Sequence, residues 1–298
     1  MKFLVFGSLN IDKVYLLPHL PEKGETLSCR NYELHVGGKG LNQAVSLSKS
    51  GAEVYMAGYI GSDGGFLKDF LNESGVDTSF VKTTGGFTGH AVIEVDRDGQ
   101  NQMILFGGAN REITAEYCDK VLENFGKGDL VLMQYETSQV EYMIDRAHEK
   151  GLLVALNPSP YVDELKNIDY TKIDYLILNE SEAKGITGEE DIDTVAEKAV
   201  EMLDGSAVIL TLGADGAIYA DSQNRVKVPA FSVNAVDTTG AGDTFTGYCL
   251  TALLEGKDIA EALKTASAAS AIVVTKAGAA QTIPEKEKVE EFLKTNSL

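Results

Sequence analysis

Four short apolar runs, each followed by a helix-like stretch, constrain the fold of this chain more than any other feature. The runs occupy residues 130–133, 152–156, 175–178 and 208–211, and the helix-like stretches include 139–150 and 194–203. Apolar runs that alternate with helices are typical of a parallel sheet that is covered on both faces. The pattern therefore predicts an α/β fold with a mostly parallel central sheet.

Polar residues follow each of the four runs. They stand at 134–136, 157, 179–182 and 212–216. In open α/β sheets, ligands bind beyond the carboxyl ends of the strands, where these residues are expected to lie. Helix capping and turn chemistry are the alternative explanation for part of them.

Two further segments, approximately 13–36 and 86–106, are β-like and contain no helical pattern. Apolar and polar residues alternate over 91–96, as in a half-buried strand, and Asp98-Gly99 is a hairpin turn. We expect these segments to form a small β-sheet that projects from the main body as a lid. No repeat or long linker interrupts the sequence, so a single domain over 1–298 is predicted.

The formal net charge of −19 argues against several classes of partner. A strongly acidic surface repels nucleic acids and anionic lipids, so we expect neither a nucleic-acid partner nor a membrane partner. Any phosphate ligand must then be held by local dipoles or by a cation. For most of the carboxylates, solubility is a sufficient explanation.

The cysteines and the apolar segments indicate a cytoplasmic location. Cys29, Cys118 and Cys249 are far apart and form no C-x-x-C motif, which is typical of reduced thiols. The apolar residues at the start are too few for a signal peptide and favour a buried strand. No apolar stretch reaches the ~20 residues that span a bilayer.

The most informative motif is DTTGAGD at 237–243, between a strand-like segment at 231–236 and a helix-like segment at 244–254. Glycine and alanine allow a ligand to approach the backbone, and a helix start offers free N–H groups with partial positive charge. Together they can form an anion hole for a phosphoryl group, while Asp243 accepts a proton from a substrate hydroxyl. An N-capping aspartate after a glycine turn is the alternative.

Two common phosphate-binding motifs are absent from the sequence. G-x-x-x-x-G-K-[ST] occurs nowhere, which excludes a P-loop. Gly240 and Gly242 do not start a dinucleotide fingerprint, because Phe245 stands where a third glycine or alanine is required.

Two weaker motifs lie near the N-terminus. In GGKGLNQA at 37–44, Asn42 falls in the first turn of a predicted helix, where its amide can bind hydroxyls. In GSLNID at 7–12, Asn10 and Asp12 can grip vicinal hydroxyls at the end of the first predicted strand. A plain glycine turn and an Asx turn are the respective alternatives.

These motifs together resemble the two signatures of the PfkB carbohydrate kinase family. The spacing from Gly37 through Asn42, Gly51 and Gly61 is similar to the first signature, and 237–243 is similar to the second. The resemblance runs along the whole chain and, within the family, is greatest to the ribokinases. It implies a ribokinase-like three-layer sandwich and an ATP-dependent kinase.

The resemblance also implies roles for individual residues. Asp243 would be the catalytic base, and the anion hole would be formed by Gly240, Ala241 and Gly242. The sugar would be bound by Asn10, Asp12, Gly38, Lys39, Gly40, Asn42 and Glu136, under apolar lid contacts from Ala91, Ile93 and Leu105. Asn179 and Glu182 would organise Mg²⁺ and phosphate, and ATP would be bound by Thr211, Gly213, Asp215, Gly216, Gly242 and Ser267.

A potassium site and a homodimer formed through the lid are further implications of the resemblance. The K⁺ ligands would be Asp237, Thr239, Val273, Lys276, Gly278 and Thr282, most of them through backbone carbonyls. Exposed strand edges in a small sheet need cover, which agrees with a lid-to-lid dimer.

The favoured activity is transfer of the γ-phosphoryl group of ATP to a primary hydroxyl, with D-ribose as the acceptor and D-ribose 5-phosphate as the product. A kinase of a nucleoside, fructose or 2-keto-3-deoxygluconate remains open. A non-catalytic sugar or nucleotide sensor is less favoured because Asp243 and the glycines around it are intact. The missing fingerprint disfavours a nicotinamide oxidoreductase.

Overall fold

The computed structural model describes residues 1–296. Its strands are β1 (Phe3–Phe6), β2 (Asn10–Leu16), β3 (Asn31–Gly37), β4 (Val54–Ile60), β5 (Asp77–Thr83), β6 (Gly89–Val95), β7 (Asn101–Phe106), β8 (Leu130–Gln134), β9 (Leu153–Asn157), β10 (Tyr175–Asn179), β11 (Ala207–Thr211), β12 (Ala217–Ala220) and β13 (Arg225–Val228). Its α-helices are α1 (Lys39–Lys49), α2 (Gly65–Glu73), α3 (Ala115–Leu122), α4 (Val140–Glu149), α5 (Glu180–Thr187), α6 (Ile192–Met202), α7 (Ala241–Leu254), α8 (Ile259–Val273) and α9 (Lys286–Thr295). Over residues 1–296, none of the helices has both the length and the apolar character needed to cross a membrane.

Nine strands form the central sheet, in the order β13-β12-β11-β10-β9-β8-β1-β4-β5. The strands from β11 to β5 are parallel, and β12 and β13 add an antiparallel edge. The four apolar runs of the sequence are strands β8 to β11, so the predicted parallel sheet is confirmed. All five residues of β8 are buried, as expected for a strand that is covered on both faces.

Two layers of helices enclose this sheet. Along β1, Phe3 and Val5 belong to one apolar cluster, whereas Leu4 and Phe6 belong to the other. The first cluster includes residues of α1, α2, α7, α8 and α9, and the second includes residues of α3 to α6. Successive strand residues point to opposite faces, so the two clusters are the two interfaces of a three-layer α/β sandwich.

A separate four-stranded sheet has the order β3-β2-β6-β7. The pair β2–β6 is parallel, and the two outer pairs are antiparallel. Its strands begin at Asn10 and Gly89, within three residues of the predicted segment starts, so the predicted small sheet is confirmed. Because Asp12, His35, Ala91 and Leu105 are aligned across the four strands, they share one face.

The opposite face of the small sheet is apolar and exposed. Leu34 is 52% exposed, Ile104 66% and Phe106 50%. Their strand partners Lys13, Val92 and His90 lie on the same face between them. A small sheet with an uncovered apolar face is marginal in water by itself.

The strand predicted at 231–236 is wrong, since this segment has no regular structure. Phe231 packs on helix α9, with its ring 5.1 Å from that of Phe292, whereas Val236 is 69% exposed. The Val236 N–H donates to Val274 O at 2.7 Å, in a loop and not in a strand ladder. The helix after it begins at Ala241, three residues earlier than predicted, and contains Asp243.

Candidate active site

The N-terminal ends of α1 and α7 meet beyond the carboxyl ends of the central strands. Helix α1 follows directly after β3 and Gly38, and Ser46 Oγ in its middle donates to Thr244 O of α7 at 2.8 Å. We call Asn42 and Gln43 of α1, together with residues 240–243, the catalytic floor. Gly247 of α7 lets the two helices approach closely, since a Cβ there would lie 2.7 Å from the Leu47 nitrogen of α1.

Asp243 lies in the catalytic floor with 7% of its surface exposed. Its Oδ2 accepts a hydrogen bond from Asn42 Nδ2 at 2.9 Å, and its Oδ1 accepts one from Gln43 Nε2 at 2.9 Å. A carboxylate oxygen has a second lone pair, so Asp243 can still accept a proton from a substrate hydroxyl. The Asn42 Oδ1 atom is buried without a partner among the described residues, and a substrate hydroxyl would satisfy it.

Helix α7 begins at a left-handed glycine. Gly240 has φ +75°, and a Cβ there would lie 3.0 Å from Ala279 Cβ. The Ala241 N–H donates to Thr238 O at 3.2 Å, so the amides of Gly242 and Asp243 remain for an anion. The helix start therefore offers donors and partial positive charge beside the Asp243 carboxylate.

Glu136 is held at the start of α1 by a residue that the sequence did not single out. Ser8 Oγ donates to Glu136 Oε2, and the Lys39 N–H donates to the same oxygen at 3.2 Å. The Gly40 N–H in turn donates to Ser8 Oγ at 3.2 Å. Ser8 lies between two motif positions, Gly7 and Asn10, and this was the only signal of its role.

Asn10 is oriented by a second asparagine. Asn110 Nδ2 donates to Asn10 Oδ1 at 2.8 Å, and Asn110 Oδ1 accepts the Leu9 N–H at 3.1 Å. The Asn10 amide oxygen is therefore engaged, and its NH₂ group supplies donors for a ligand. Gly89 makes room for this pair, because a Cβ there would collide with both side chains.

Asp12 stands beside Glu136 in a partly buried position on β2. Burial and the neighbouring Glu136 charge raise the pKa of Asp12 to about 6, and the cross-strand His35 opposes this rise. Gly37 provides the space, since a Cβ there would collide with the Asp12 carboxylate. Asp12 therefore changes its charge near neutral pH.

Lys39 lies between this acidic cluster and the adjoining cleft. Burial alone would lower the pKa of Lys39, but the charges of Asp243, Glu136 and Glu182 outweigh it and raise the pKa. The side chain therefore remains charged while surrounded by three carboxylates.

A cleft of about 730 Å³ extends from Lys39 and Asp243, which is within the usual size range of small-molecule sites. Most of the predicted nucleotide residues line it, namely Asn179, Glu182, Thr211, Gly213, Gly216, Gly242 and Ser267. Asp215 is exposed and is not among the lining residues of the described chain. An apolar wall formed by Phe231, Val233, Ala235, Ala271 and Val274 was missed, because these residues follow no recognisable spacing.

Asn179 and Glu182 form the capping box of α5. Asn179 Oδ1 accepts the Glu182 N–H at 2.9 Å, and Glu182 Oε2 accepts the Asn179 N–H at 2.9 Å. Both residues also line the cleft, so they can cap α5 and at the same time face the predicted Mg²⁺ and phosphate. Glu182 Oε1 has no hydrogen bond within residues 1–296 and is available for a hard cation.

The two segments of the predicted potassium site meet next to the catalytic floor. Asp237 Oδ1 accepts the Thr239 N–H at 2.9 Å, and its Oδ2 accepts the Gly278 N–H at 2.9 Å. Burial alone would raise the pKa of Asp237, but the hydrogen bonds from the Thr239 hydroxyl and from these two N–H groups outweigh it and lower the pKa. Thr282 Oγ1 donates to Gly278 O at 3.0 Å, and the Lys276 N–H donates to Val273 O at 3.0 Å.

Residues 1–296 contain no group of three His, Cys, Asp or Glu side chains that could hold a metal ion. A cation in this loop would therefore depend on backbone carbonyls around the single Asp237 carboxylate. Such a donor set suits a monovalent cation.

Known proteins are similar to this chain in sequence and in fold over nearly their whole length. The sequence matches the pfkB family carbohydrate kinases over residues 2–286. It is 38% identical to the ribokinase of Haemophilus influenzae, over 97% of each chain. It is 32% identical to the deoxyribokinase of Salmonella typhi, over 99% of this chain and 100% of that protein.

The structure is similar to that of the ribokinase of Cryptococcus neoformans var. grubii serotype A, which was crystallised in complex with ADP. The TM-score is 0.84 with 32% identity, over 98% of this chain and 99% of the other. Both the family match and these relatives extend across the catalytic floor and the cleft. This chain therefore belongs to the PfkB family of carbohydrate kinases and is an ATP-dependent sugar kinase of the ribokinase group.

Proposed function

We propose that this kinase transfers the γ-phosphoryl group of ATP to the 5-hydroxyl of D-ribose and produces D-ribose 5-phosphate. One observation carries this proposal: polar side chains gather around Asp243 at the end of the cleft. The Asn42 amide donates to Asp243, the charges of Asp243 and Glu136 act on the Lys39 side chain, and Asp12 responds to the charge of Glu136. Alternating amides and carboxylates of this kind suit a small molecule that is rich in hydroxyls.

The charge of the site argues against anionic acceptors. Lys39 is the only cation among the cleft-lining residues of the described chain, and three carboxylates already surround it. A sugar acid such as 2-keto-3-deoxygluconate would place a fourth carboxylate in this cluster, where like charges repel. A neutral pentose meets no such penalty.

The 2-hydroxyl is the part of the acceptor on which the relatives divide, since a ribokinase and a deoxyribokinase are similarly related to this chain. A site that is built to hydrogen-bond a hydroxyl rejects an analogue that lacks it, because buried polar groups are left unpaired. Since Asn42 Oδ1 is unpartnered among residues 1–296, we expect ribose to be preferred over 2-deoxyribose.

The proposed chemistry needs positioning and charge stabilisation more than covalent catalysis. Asp243 accepts the proton of the 5-hydroxyl as the new O–P bond forms and the bond from the γ-phosphorus to the bridging oxygen breaks, releasing ADP. The amides of Gly242 and Asp243 stabilise the transferred group. Mg²⁺, when bound near Asn179 and Glu182, would neutralise phosphate charge.

A monovalent cation fits the loop pair beside the floor, and we propose K⁺. Asp237, Thr239, Val273, Lys276, Gly278 and Thr282 would hold it, mainly through backbone oxygens. When bound, the ion would supply positive charge next to the helix start. The donor set of carbonyls around a single ionised carboxylate supports this assignment.

We further propose that the small sheet is a lid over the sugar and that a second copy of this chain covers its apolar face. The exposed Leu34, Ile104 and Phe106 support this assembly, which would have a mass of twice 32.0 kDa. A cytoplasmic location agrees with three free cysteines, two of them buried.

A panel of acceptors tests the proposed substrate. ADP release is measured under one set of conditions with D-ribose, 2-deoxyribose, fructose, adenosine, pseudouridine and 2-keto-3-deoxygluconate. We expect the highest kcat/KM for ribose. If any other acceptor exceeds ribose by about tenfold, a difference of about 1.4 kcal/mol, the ribose assignment is wrong although the family remains.

A further inference from the structure

We propose that Gln43, oriented by Gln134 and Asn157, is a positioning residue that fixes the catalytic carboxylate of Asp243. This inference rests on the proposed role of Asp243 as the base. The three amides form one buried chain of hydrogen bonds, which we call the amide chain. It reaches from the ends of two central strands to the catalytic floor.

The amide chain is built by register and by helix placement. Gln134 and Asn157 are the last paired residues of the parallel strands β8 and β9, so their side chains leave the sheet on the same face. Gln134 Nε2 donates to Gln43 Oε1 at 2.6 Å. Gln43 Nε2 then donates to Asn157 Oδ1 at 2.9 Å and to Asp243 Oδ1 at 2.9 Å.

One backbone carbonyl determines the polarity of the whole chain. Asn157 Nδ2 donates to Ile177 O at 2.9 Å, so its Oδ1 must face Gln43. Gln43 therefore has to present its NH₂ group to two acceptors, Asn157 Oδ1 and Asp243 Oδ1. Its own Oε1 then requires a donor, which Gln134 supplies.

The surroundings of the amide chain are shaped to hold it. Gln43 and Gln134 are both 0% exposed, and long polar side chains are rarely buried unless they are bonded. Gly7 faces Gln134, and a Cβ at this glycine would collide with Gln134 Oε1. That oxygen is buried without a partner among the described residues. The hydrogen bond of the Gln134 side chain is therefore the one that its Nε2 donates to Gln43.

The consequence for catalysis is a carboxylate that is held at both oxygens. Asn42 binds Asp243 Oδ2 from one side, and the amide chain binds Oδ1 from the other. The carboxylate plane is thereby fixed before the substrate arrives. Pre-organisation of this kind matters because misplacing a catalytic group by 1 Å lowers the rate by about 10²-fold.

Gln134 is the best position for a test, because it does not touch Asp243. In Gln134→Glu, a protonated carboxyl group still donates to Gln43 Oε1, whereas an ionised one forces the Gln43 amide to turn its oxygen toward Asp243. Burial raises the pKa of such a carboxyl group. We expect the ratio of variant to wild-type kcat to fall by about 10²-fold as the pH rises from 6 to 9. The KM for the sugar and the KM for ATP should be the same in the variant as in the wild type.

Gln134→Met provides a second variant without a new charge. It removes the donor and keeps the length of the side chain, so we expect a lower kcat with no pH dependence. Ser50→Ala is the matched control, because it also removes a buried hydrogen bond between the end of α1 and a neighbouring element, to Thr251 and eight residues along α1 from Asn42. We expect it to lower Tm about as much as Gln134→Met does while leaving kcat and its pH profile unchanged.

The outcomes separate this inference from the proposed function. A flat kcat ratio in Gln134→Glu, together with a wild-type kcat in Gln134→Met, would overturn the positioning role while leaving the ribose assignment intact. Equal losses of kcat in Ser50→Ala and Gln134→Met would also overturn it, because a structural effect would then suffice. Failure of the wild-type protein to phosphorylate ribose concerns only the proposed substrate, since the ratios can be measured with any acceptor that it turns over.

Discussion

In the catalytic floor the polar side chains are buried and bonded to one another, whereas the small sheet leaves an apolar face exposed. Asp243 accepts bonds from Asn42 and Gln43 before any ligand is present. In the small sheet, the Asp12 carboxylate has a raised pKa, and Ile104 exposes 66% of its surface. The proposed catalytic groups are therefore already positioned within a single chain, whereas the proposed lid has an apolar face that a single chain leaves exposed.

This difference predicts that changes in the floor alter kcat, and that changes in the small sheet alter the KM for the sugar. Loss of an interaction made only in the transition state lowers kcat. Loss of one made equally in the ground state and the transition state raises KM and leaves kcat unchanged.

The largest effect is expected for Asp243→Asn. The substitution keeps the shape of the side chain and removes the base, which contributes about 10²–10⁴-fold to catalysis. We expect kcat to fall by this amount. Nucleotide affinity should be retained, as measured by calorimetry with ADP. Wild-type turnover in this variant would contradict the proposed mechanism.

The second effect concerns the cation. If K⁺ orders the start of α7, its removal should lower kcat by up to about 10²-fold, as the loss of one anion-hole donor does. Initial rates are compared in KCl and in a large organic chloride at equal ionic strength, with the KM for the sugar as the internal control. Equal kcat values in the two salts would show that the loop at 237–239 and 273–282 acts without a cation.

The third effect is a pH dependence that starts in the small sheet. Asp12 has a pKa of about 6, so below that pH its carboxylate is lost as an acceptor for sugar hydroxyls. We expect the KM for ribose to rise by about tenfold per pH unit below 6, with kcat much less affected. Asp12→Asn should have a high KM that does not change between pH 5 and 8, and a retained pH dependence of KM would assign the titration to another group.

Folding stability should change in the opposite direction over the same range. The folded-state pKa of Asp12 lies above its unfolded value, so its contribution to stability is fully present below pH 3.8 and is lost as the pH rises through about 6. Acidification from pH 7 to pH 5 therefore favours the folded state at this residue while weakening sugar binding. Thermal unfolding of wild type and Asp12→Asn at both pH values separates the two effects.

The smallest kinetic effect is expected from the apolar face of the small sheet. Ile104→Asp places a charge in the proposed interface between two copies, so we expect the mass measured by light scattering to fall from about twice 32.0 kDa to 32.0 kDa. Only a modest rise in the sugar KM should accompany it. Ile104→Val keeps the apolar surface and should remain dimeric, and a wild-type protein that is monomeric at micromolar concentration would refute the assembly.

The sequence predicted the central sheet well because its strands carry their own signal. Residues 130–133 and 208–211 are continuous apolar runs, and runs of this length between helices have few alternatives to a buried parallel strand. At 231–236 the same apolar character was misread, since Phe231 packs on a helix and no strand lies beside it. Periodicity reports burial but does not identify the partner.

Prediction of the site was limited in a similar way. Asp243 and Asn42 were accessible because their motifs place them next to glycines at helix starts. Gln43, Gln134 and Asn157 lie in segments that the sequence singled out, but their roles and those of Ser8 and Asn110 were not predicted. These residues act through hydrogen bonds between positions about 90 to 130 apart. Their residue types, serine and amides, occur throughout the sequence and indicate a role only when their partners are known.

The proposed sugar-binding residues are divided between the small sheet and the main body, on either side of two short connections. Only residues 7–9 separate β1 of the central sheet from β2, and only Gly38 separates β3 from α1. Asn10 and Asp12 therefore lie on the small sheet, while Asn42 and Asp243 lie on helices of the main body. Under the proposed roles, changes in β2 and β6 could alter the fit of the acceptor and leave Asp243 in place, whereas a change at Asn42 would affect both, because its amide bonds Asp243.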